Sequence, residues 1–223
     1  IMPREREELL RHGGFTHKEK IIVLAFEGND TEQIYFEDFK ETFKDTELFN
    51  NDLIYLHLLK RPKSDTNSAP NHVFKKLKNE AKDEYNFKAS DELWMIIDTD
   101  KWKNIKEIIS ECKKQENMFV AVSNPSFEFW LLLHIKNIGE YNEEELELIL
   151  ANGKTSKNGR THVEKKIIEI LGFYNKSNPK TELYLPYIEK AISQAKLLNN
   201  PEEDYPLKLG SFVYKIIESL RKH

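Results

Sequence analysis

Carboxylates recur in this sequence where apolar runs stop. KIIVLAF (20–26) runs into Glu27-Gly28, ELWMII (92–97) into Asp98-Thr99-Asp100, and MFVAV (118–122) into SNPSFE, which carries Glu128. A carboxylate at the end of a buried strand has a high desolvation cost unless positive charge lies beside it. Asp98 and Asp100 are two apart, so an extended chain points both side chains the same way. Acids gathered in one place repel one another unless a cation joins them. Hard oxygen donors suit Mg²⁺ or Mn²⁺, and Mg²⁺ commonly keeps waters and uses few carboxylates plus a substrate phosphate. A pair of such metals stabilises both attacking and leaving oxygens in phosphoryl transfer. A lone DxD is common at strand ends and helix caps. Strand–Glu–Gly followed two strands later by strand–DxD is the informative combination, and Gly28 lets the backbone turn tightly beside its acid.

These residues need a scaffold that brings distant strand ends together. The apolar runs at 20–26, 53–59, 92–97 and 118–122 read as strands, the uninterrupted ones as strands buried on both faces. Helical patterns separate them over 31–44, with Thr31 as N-cap, over 71–85 and over 102–116. Four strands alternating with helices predict an α/β fold with a four-stranded, mainly parallel sheet flanked by helices. Right-handed crossovers place all the strand carboxyl ends on one edge, where ligands bind. After Ser123 the pattern changes. SNPSFEFWLLLHI reads as a strongly apolar helix, and further helices are expected near 142–150, 160–171, 181–198 and 207–221, with no strand among them. The predicted organisation is an arm or short helix (1–19), a catalytic core (20–136) and a helical lobe packed on it (137–223).

Composition narrows the classes. The chain has 223 residues, 39% hydrophobic and 32% charged, with a net charge of −4. No apolar run approaches the roughly 20 residues that span a bilayer. The opening IMPREREELLRHGG is charged, unlike a signal peptide, and Ile1 ahead of Met2 reads as an addition upstream of a natural start, so a cytoplasmic location is expected. The single cysteine, Cys112, excludes an intrachain disulfide and reads as an inert, half-buried thiol. The negative charge is not that of a nucleic-acid coat protein, but metal ions neutralise sites built of acids.

Other candidates follow from position. Glu32 lies in the first turn of a predicted helix, where an acid also complements the helix dipole. Glu128 sits among Phe127, Phe129 and Trp130, so its carboxylate needs a partner. Lys60, Arg61 and Lys63 follow the second strand and fall on the catalytic edge. The segment 153–166 carries Lys154, Lys157 and Arg160 and is suited to track a phosphate backbone, though it lacks the spacing of a P-loop. His134, inside an apolar helix, reads as a satisfied core histidine.

EGNDTEQIYFEDF, DELWMIIDTDKW, SNPSFEFWLLLHI, LGFYNKSNPKTELYLPYIEKAISQAK and FVYKIIESL resemble, in order, the blocks of the RloB family over residues 27–220. The glutamate-glycine and DTD blocks are similar to the TOPRIM domain of topoisomerases, primases and OLD nucleases. The resemblance implies a TOPRIM-like core and a metal-dependent nuclease of phage-defence or abortive-infection loci, often encoded beside an AAA or ABC-type ATPase. It implies Glu27 as catalytic acid-base or metal-linked residue, Asp98 and Asp100 as metal ligands, and Glu32 and Glu128 as members of family blocks. Lys176 matches a basic position suited to stabilising the phosphorane or the leaving group. The chain departs from the family pattern at Asn29, where a second Glu is frequent, and at Thr99, where Arg is frequent. The alternative expectation is a non-catalytic effector controlled by an ATPase partner. Neither reading selects among DNA, RNA and tRNA, a metal count or an oligomeric state.

Overall fold

The computed structural model describes residues 19–28, 30–44, 46–59, 69–84, 87–99, 105–154, 156, 159–200 and 202–221. Five strands form one sheet: β1 (Lys20–Phe26), β2 (Ile54–Leu58), β3 (Glu92–Asp98), β4 (Met118–Asn124) and β5 (Gly210–Ser211). Eight α-helices lie among the described residues: α1 (Thr31–Phe43), α2 (Pro70–Glu84), α3 (Ile105–Lys113), α4 (Phe127–Ile135), α5 (Glu143–Ala151), α6 (His162–Leu171), α7 (Ile188–Leu198) and α8 (Val213–Leu220). The strand order is β2-β1-β3-β4-β5. The first four strands pair in parallel, and β5 runs antiparallel to β4.

The period-2 alternation of strand side chains sorts the apolar runs onto two faces. Ile22, Leu24 and Phe26 join Trp94 and Ile96 in a core with α1, α4 and the C-terminal helices. Ile21, Val23 and Ala25 join Met95 and Ile97 against Val73 and Leu77 of α2 and Ile105, Ile108 and Ile109 of α3. Burial on both faces is why β1 and β3 read as unbroken apolar runs. The chain leaves β1 toward one side of the sheet and β3 toward the other. The point where strand order reverses therefore lies between the carboxyl ends of β1 and β3, and a crevice opens there in sheets of this kind.

Helix α4 is apolar all round, and Phe127 through His134 are all buried. A helix of this kind must be enclosed on every side. The sheet covers one side, and α6, α7 and α8 supply the rest of the same continuous core. His134 is the satisfied core histidine expected. Its Nδ1 lies 2.9 Å from the Trp130 carbonyl and its Nε2 lies 3.1 Å from the Tyr35 hydroxyl. The carbonyl can only accept, so Nδ1 carries the proton and Nε2 accepts from Tyr35. Burial drives its pKa down to about 3. Cys112 is fully buried rather than half-buried, with Sγ 3.6 Å from Met95 Sδ. Burial, then Glu111, pushes its thiol up to about 12, which keeps it inert.

Four expectations need correction. The sheet has five strands, because Gly210 and Ser211 of the C-terminal half pair with Asn124 and Ser123. That pairing also delays the last helix, which starts at Val213 and not near 207. The expected helix over 181–198 begins as two 3-10 turns, Thr181–Leu183 and Leu185–Tyr187, since Pro186 has no amide for an α-helical ladder. Thr31 is not the N-cap of α1: Asp30 holds that position without a side-chain cap, and the Thr31 hydroxyl donates instead to the Lys176 carbonyl at 3.0 Å. Among the described residues no helix is long and apolar enough to cross a membrane.

The two-residue strand β5 depends on a close approach. A Cβ at Gly210 would lie 2.2 Å from Asn199 Oδ1 and 2.8 Å from Pro206 Cβ. Asn199 cannot swing aside freely, because its Nδ2 donates to the carbonyls of Ala195 and Ser211 at 2.7 and 2.9 Å. Gly210→Ala is therefore expected to destabilise the protein by about 1–3 kcal/mol, the range for overpacking. Urea denaturation checks this. Part of the loss should return in the Gly210→Ala/Asn199→Ala double variant, and strict additivity would contradict the clash.

Candidate functional site

The β1–β3 ladder continues one step beyond β1, where the Glu27 amide donates to the Ile96 carbonyl at 2.9 Å. The Glu27 side chain then turns back across the strand ends. Its Oε2 accepts from the backbone amide of Asp98 at 2.9 Å. Two acids distant in sequence are thus adjacent at the reversal point of the sheet, and Glu27 is buried. The end of β3 is also tied to β4. The Thr99 amide donates to the Ser123 carbonyl at 3.1 Å, and its hydroxyl donates to Asn124 Oδ1 at 2.8 Å. The Asn124-Pro125 peptide is cis, and the chain enters α4 at Ser126.

Glu32 comes from the first turn of α1 and is buried. Its Oε1 accepts from the Gly28 amide at 3.2 Å. Gly28 has to be glycine for this contact: a Cβ there would lie 2.3 Å from Glu32 Oε2. Burial first, then repulsion from Glu128 and more weakly from Glu27, pushes the Glu32 carboxyl up to about 7, while Lys176 pulls the other way. The carboxyls therefore act on one another as a cluster, which is the electrostatic condition expected of an acid site.

Glu128, in the first turn of α4, has the partner its aromatic surroundings demand. Lys176 Nζ lies 2.7 Å from Glu128 Oε1, and the Tyr174 hydroxyl donates to the same oxygen at 3.1 Å. Burial works against the Glu128 anion, but the Lys176 charge and hydrogen bond outweigh it and hold the carboxyl below its ordinary range. Lys176 also reaches Glu164 Oε1 at 3.3 Å. Burial would lower the Lys176 pKa, but Glu128 and Glu164 together raise it, so the lysine stays charged. Its segment is fastened to the edge of the sheet through Thr31, and through Ser177 Oγ, which donates to Asp30 Oδ2 at 2.8 Å.

Glu27, Asp98, Glu32, Glu128 and Lys176 are thus all linked at one end of the sheet. Arg160 is only partly available to a ligand: its Nη2 donates to the Tyr174 carbonyl at 2.9 Å, and its Nη1 lies 3.9 Å from Glu164. Lys154 is exposed between α5 and α6. Asp100, Lys60, Arg61, Lys63 and Lys157 lie outside the described residues. Among the described residues no three His, Cys, Asp or Glu side chains form a ready set for a metal. The donor chemistry nevertheless fits a hard cation, since the clustered groups are carboxylates and the Glu32 carboxyl is already strained toward neutrality by its neighbours. Glu164 was not a sequence candidate. Its signal was present as Thr161-x-x-Glu164, a capping-box spacing, and that box is formed here with both reciprocal hydrogen bonds.

A family model described as RloB-like protein matches residues 22–220. The chain belongs to the RloB-like family. The matched span takes in every described acid of the site together with Lys176, so the strand-end cluster of this RloB-like chain lies wholly within the family region. Comparison with curated proteins and with solved structures gave no match.

Glu32 provides a test by pH. Its folded pKa lies above the ordinary carboxylate value, so the folded state holds the proton more tightly than the unfolded chain between about pH 4.5 and 7. Stability from this group is full below that window and is lost as pH rises through it. Glu32→Gln keeps the acceptor for Gly28 but cannot ionise. In EDTA, its stability relative to the parent should improve by about 2 kcal/mol between pH 5 and pH 8. Urea denaturation at four pH values measures this, and parallel curves would show that the Glu32 carboxyl is not raised.

Proposed function

We propose that this RloB-like chain is a TOPRIM-type, Mg²⁺- or Mn²⁺-dependent nuclease, a cytoplasmic effector of phage defence that hydrolyses phosphodiester bonds in nucleic acid. The observation that carries the reading is the hydrogen bond from the Asp98 amide to Glu27 Oε2, which fixes the Glu27 carboxylate against the end of the strand that bears Asp98, where the strand order reverses. Glu32 and Glu128 add buried acid behind them.

Glu27, Asp98 and Asp100 would hold the metal, with Glu32 and Glu128 nearest in reserve. The cation supplies an activated water and neutralises charge on the scissile phosphate. The chain's own residues have separate roles. Glu27 accepts from the Asp98 amide, which fixes its carboxylate at the strand edge. Lys176 brings positive charge that can be directed at a phosphate oxygen or a leaving group. Gly28 keeps the backbone close to Glu32. Lys154, with the basic residues after β2, would meet the nucleic-acid backbone. An AAA or ABC-type ATPase is the proposed partner.

The test is cleavage by purified protein of plasmid DNA, single-stranded DNA and total tRNA, each with Mg²⁺, Mn²⁺ or EDTA. Cleavage should require metal, and Asp98→Asn, which preserves shape, should reduce it about 100-fold or more. Cleavage that survives EDTA or the Asp98→Asn change would reject the metal site. No cleavage of any substrate would favour the second class, a non-catalytic effector controlled by its ATPase.

A further inference from the structure

Glu164 belongs to neither strand edge nor acid block, yet it is buried next to them. Its side chain is 5% exposed. One oxygen, Oε2, accepts from the Thr161 amide at 3.0 Å and closes the capping box of α6. The capping box itself asks of its acid only the bond back to the N-cap amide. Here the other oxygen, Oε1, is directed at the Lys176 ammonium, 3.3 Å away. The cap thereby locks the rotamer of a carboxylate whose free oxygen faces the lysine.

The same lysine is held more closely by Glu128, at 2.7 Å. Glu128 is the partner that an incoming cation would compete for. If Glu128 alone held the lysine, any ligand that took Glu128 would release the ammonium to solvent, because half of the Lys176 side chain is exposed. A second, rigid carboxylate changes that outcome. We infer that Glu164 is a positioning residue: it retains the Lys176 ammonium at the catalytic edge when Glu128 is engaged elsewhere. The inference takes the role of Lys176 from the nuclease reading, but the holding itself involves only residues of this chain. Arg160 reinforces the arrangement, since it touches both the Glu164 carboxylate and the Tyr174 carbonyl at the start of the lysine's segment.

The experiment reads the accessibility of Lys176 directly, without metal or nucleic acid. Full-length protein in EDTA at pH 8 is treated with a limiting acetylating reagent, and modification of each lysine is followed by mass spectrometry. Lys180 serves as internal reference, being similarly exposed and only loosely paired, with Nζ 4.0 Å from an exposed Glu182. Glu128→Gln or Glu164→Gln alone should raise labelling of Lys176 by less than about threefold, because one carboxylate still holds a protonated amine. The double variant should raise it about tenfold or more, the size of one pKa unit. If Glu128→Gln alone labels as fast as the double variant, Glu164 does not hold the lysine and the inference is overturned. A Glu164 that serves only the helix cap would lower the melting temperature and give that same overturning pattern. Should the double variant fail to fold, Glu128→Gln/Glu164→Asp decides: its shortened carboxylate withdraws from the lysine, so labelling above Glu128→Gln supports the inference and equal labelling rejects it. A failed cleavage assay leaves this result standing, and failed protection leaves the cleavage result standing.

Discussion

Two buried carboxylates, Glu128 and Glu164, share one ammonium, and much of the structure serves to make that tolerable. Each buried ion costs several kcal/mol of desolvation even after the protein relaxes, so an unpaired one would be a severe fault. Lys176 answers both. It comes from the chain between α6 and α7, whereas Glu128 begins α4 directly after the sheet. The ion cluster therefore joins the C-terminal helices to the sheet edge through charge, while α4 joins them through apolar packing. The sheet and the helices that follow it form one continuous core around α4, with the neutral His134 between Tyr35 and Trp130 at its centre.

Three of the acids occupy equivalent local positions. Glu32, Glu128 and Glu164 each lie in the first turn of a helix. A helix N-terminus carries unsatisfied amides and partial positive charge, which favours a carboxylate there by a fraction of a kcal/mol at the surface and more when partly buried. Stabilisation by the dipole and a role in the site are usually weighed as rival explanations of such a residue. Here they act together. The helix ends make concentrated negative charge affordable, and convergence of the helices on one strand edge makes it useful. The remaining repulsion shows at Glu32, whose carboxyl is the one driven toward neutrality.

The sequence disclosed the elements whose signal is dense. Apolar runs too short for a helix marked β1, β3 and β4; β1 and β3 are buried on both faces, whereas Phe119 of β4 is exposed. Glu27 and Asp98 were legible because each stops such a run. The two-residue β5 was not legible: Gly210 and Ser211 pair with β4, and Ser211 meets Ser123 from 88 positions away, a contact that no local pattern announces. Thr31 illustrates the opposite failure. Its local signal was that of a cap, but its hydroxyl serves the Lys176 carbonyl, 145 positions away. Glu164 combined both difficulties. Its capping-box spacing could be read locally, whereas its ion pair required knowing where Lys176 would return.

The placement of Lys176 has a consequence for how the site is assembled. Glu27 and Asp98 sit at the ends of paired sheet strands, joined by the backbone ladder and by the Asp98 amide hydrogen bond to Glu27. Lys176 is carried by the C-terminal half; Glu128 and Glu164 hold its ammonium, and its segment is tied back to Thr31 and, through Ser177, to Asp30. Glu27 and Asp98 are therefore built into the parallel sheet, while the positive charge arrives on a separate segment held by polar contacts and by the burial of Tyr174 in the core. Polar contacts of this kind are individually worth about 1 kcal/mol, far less than the apolar packing beneath them. The acids and the charge that balances them thus come from different halves of the chain, and they meet only where the C-terminal helices pack on the sheet around α4.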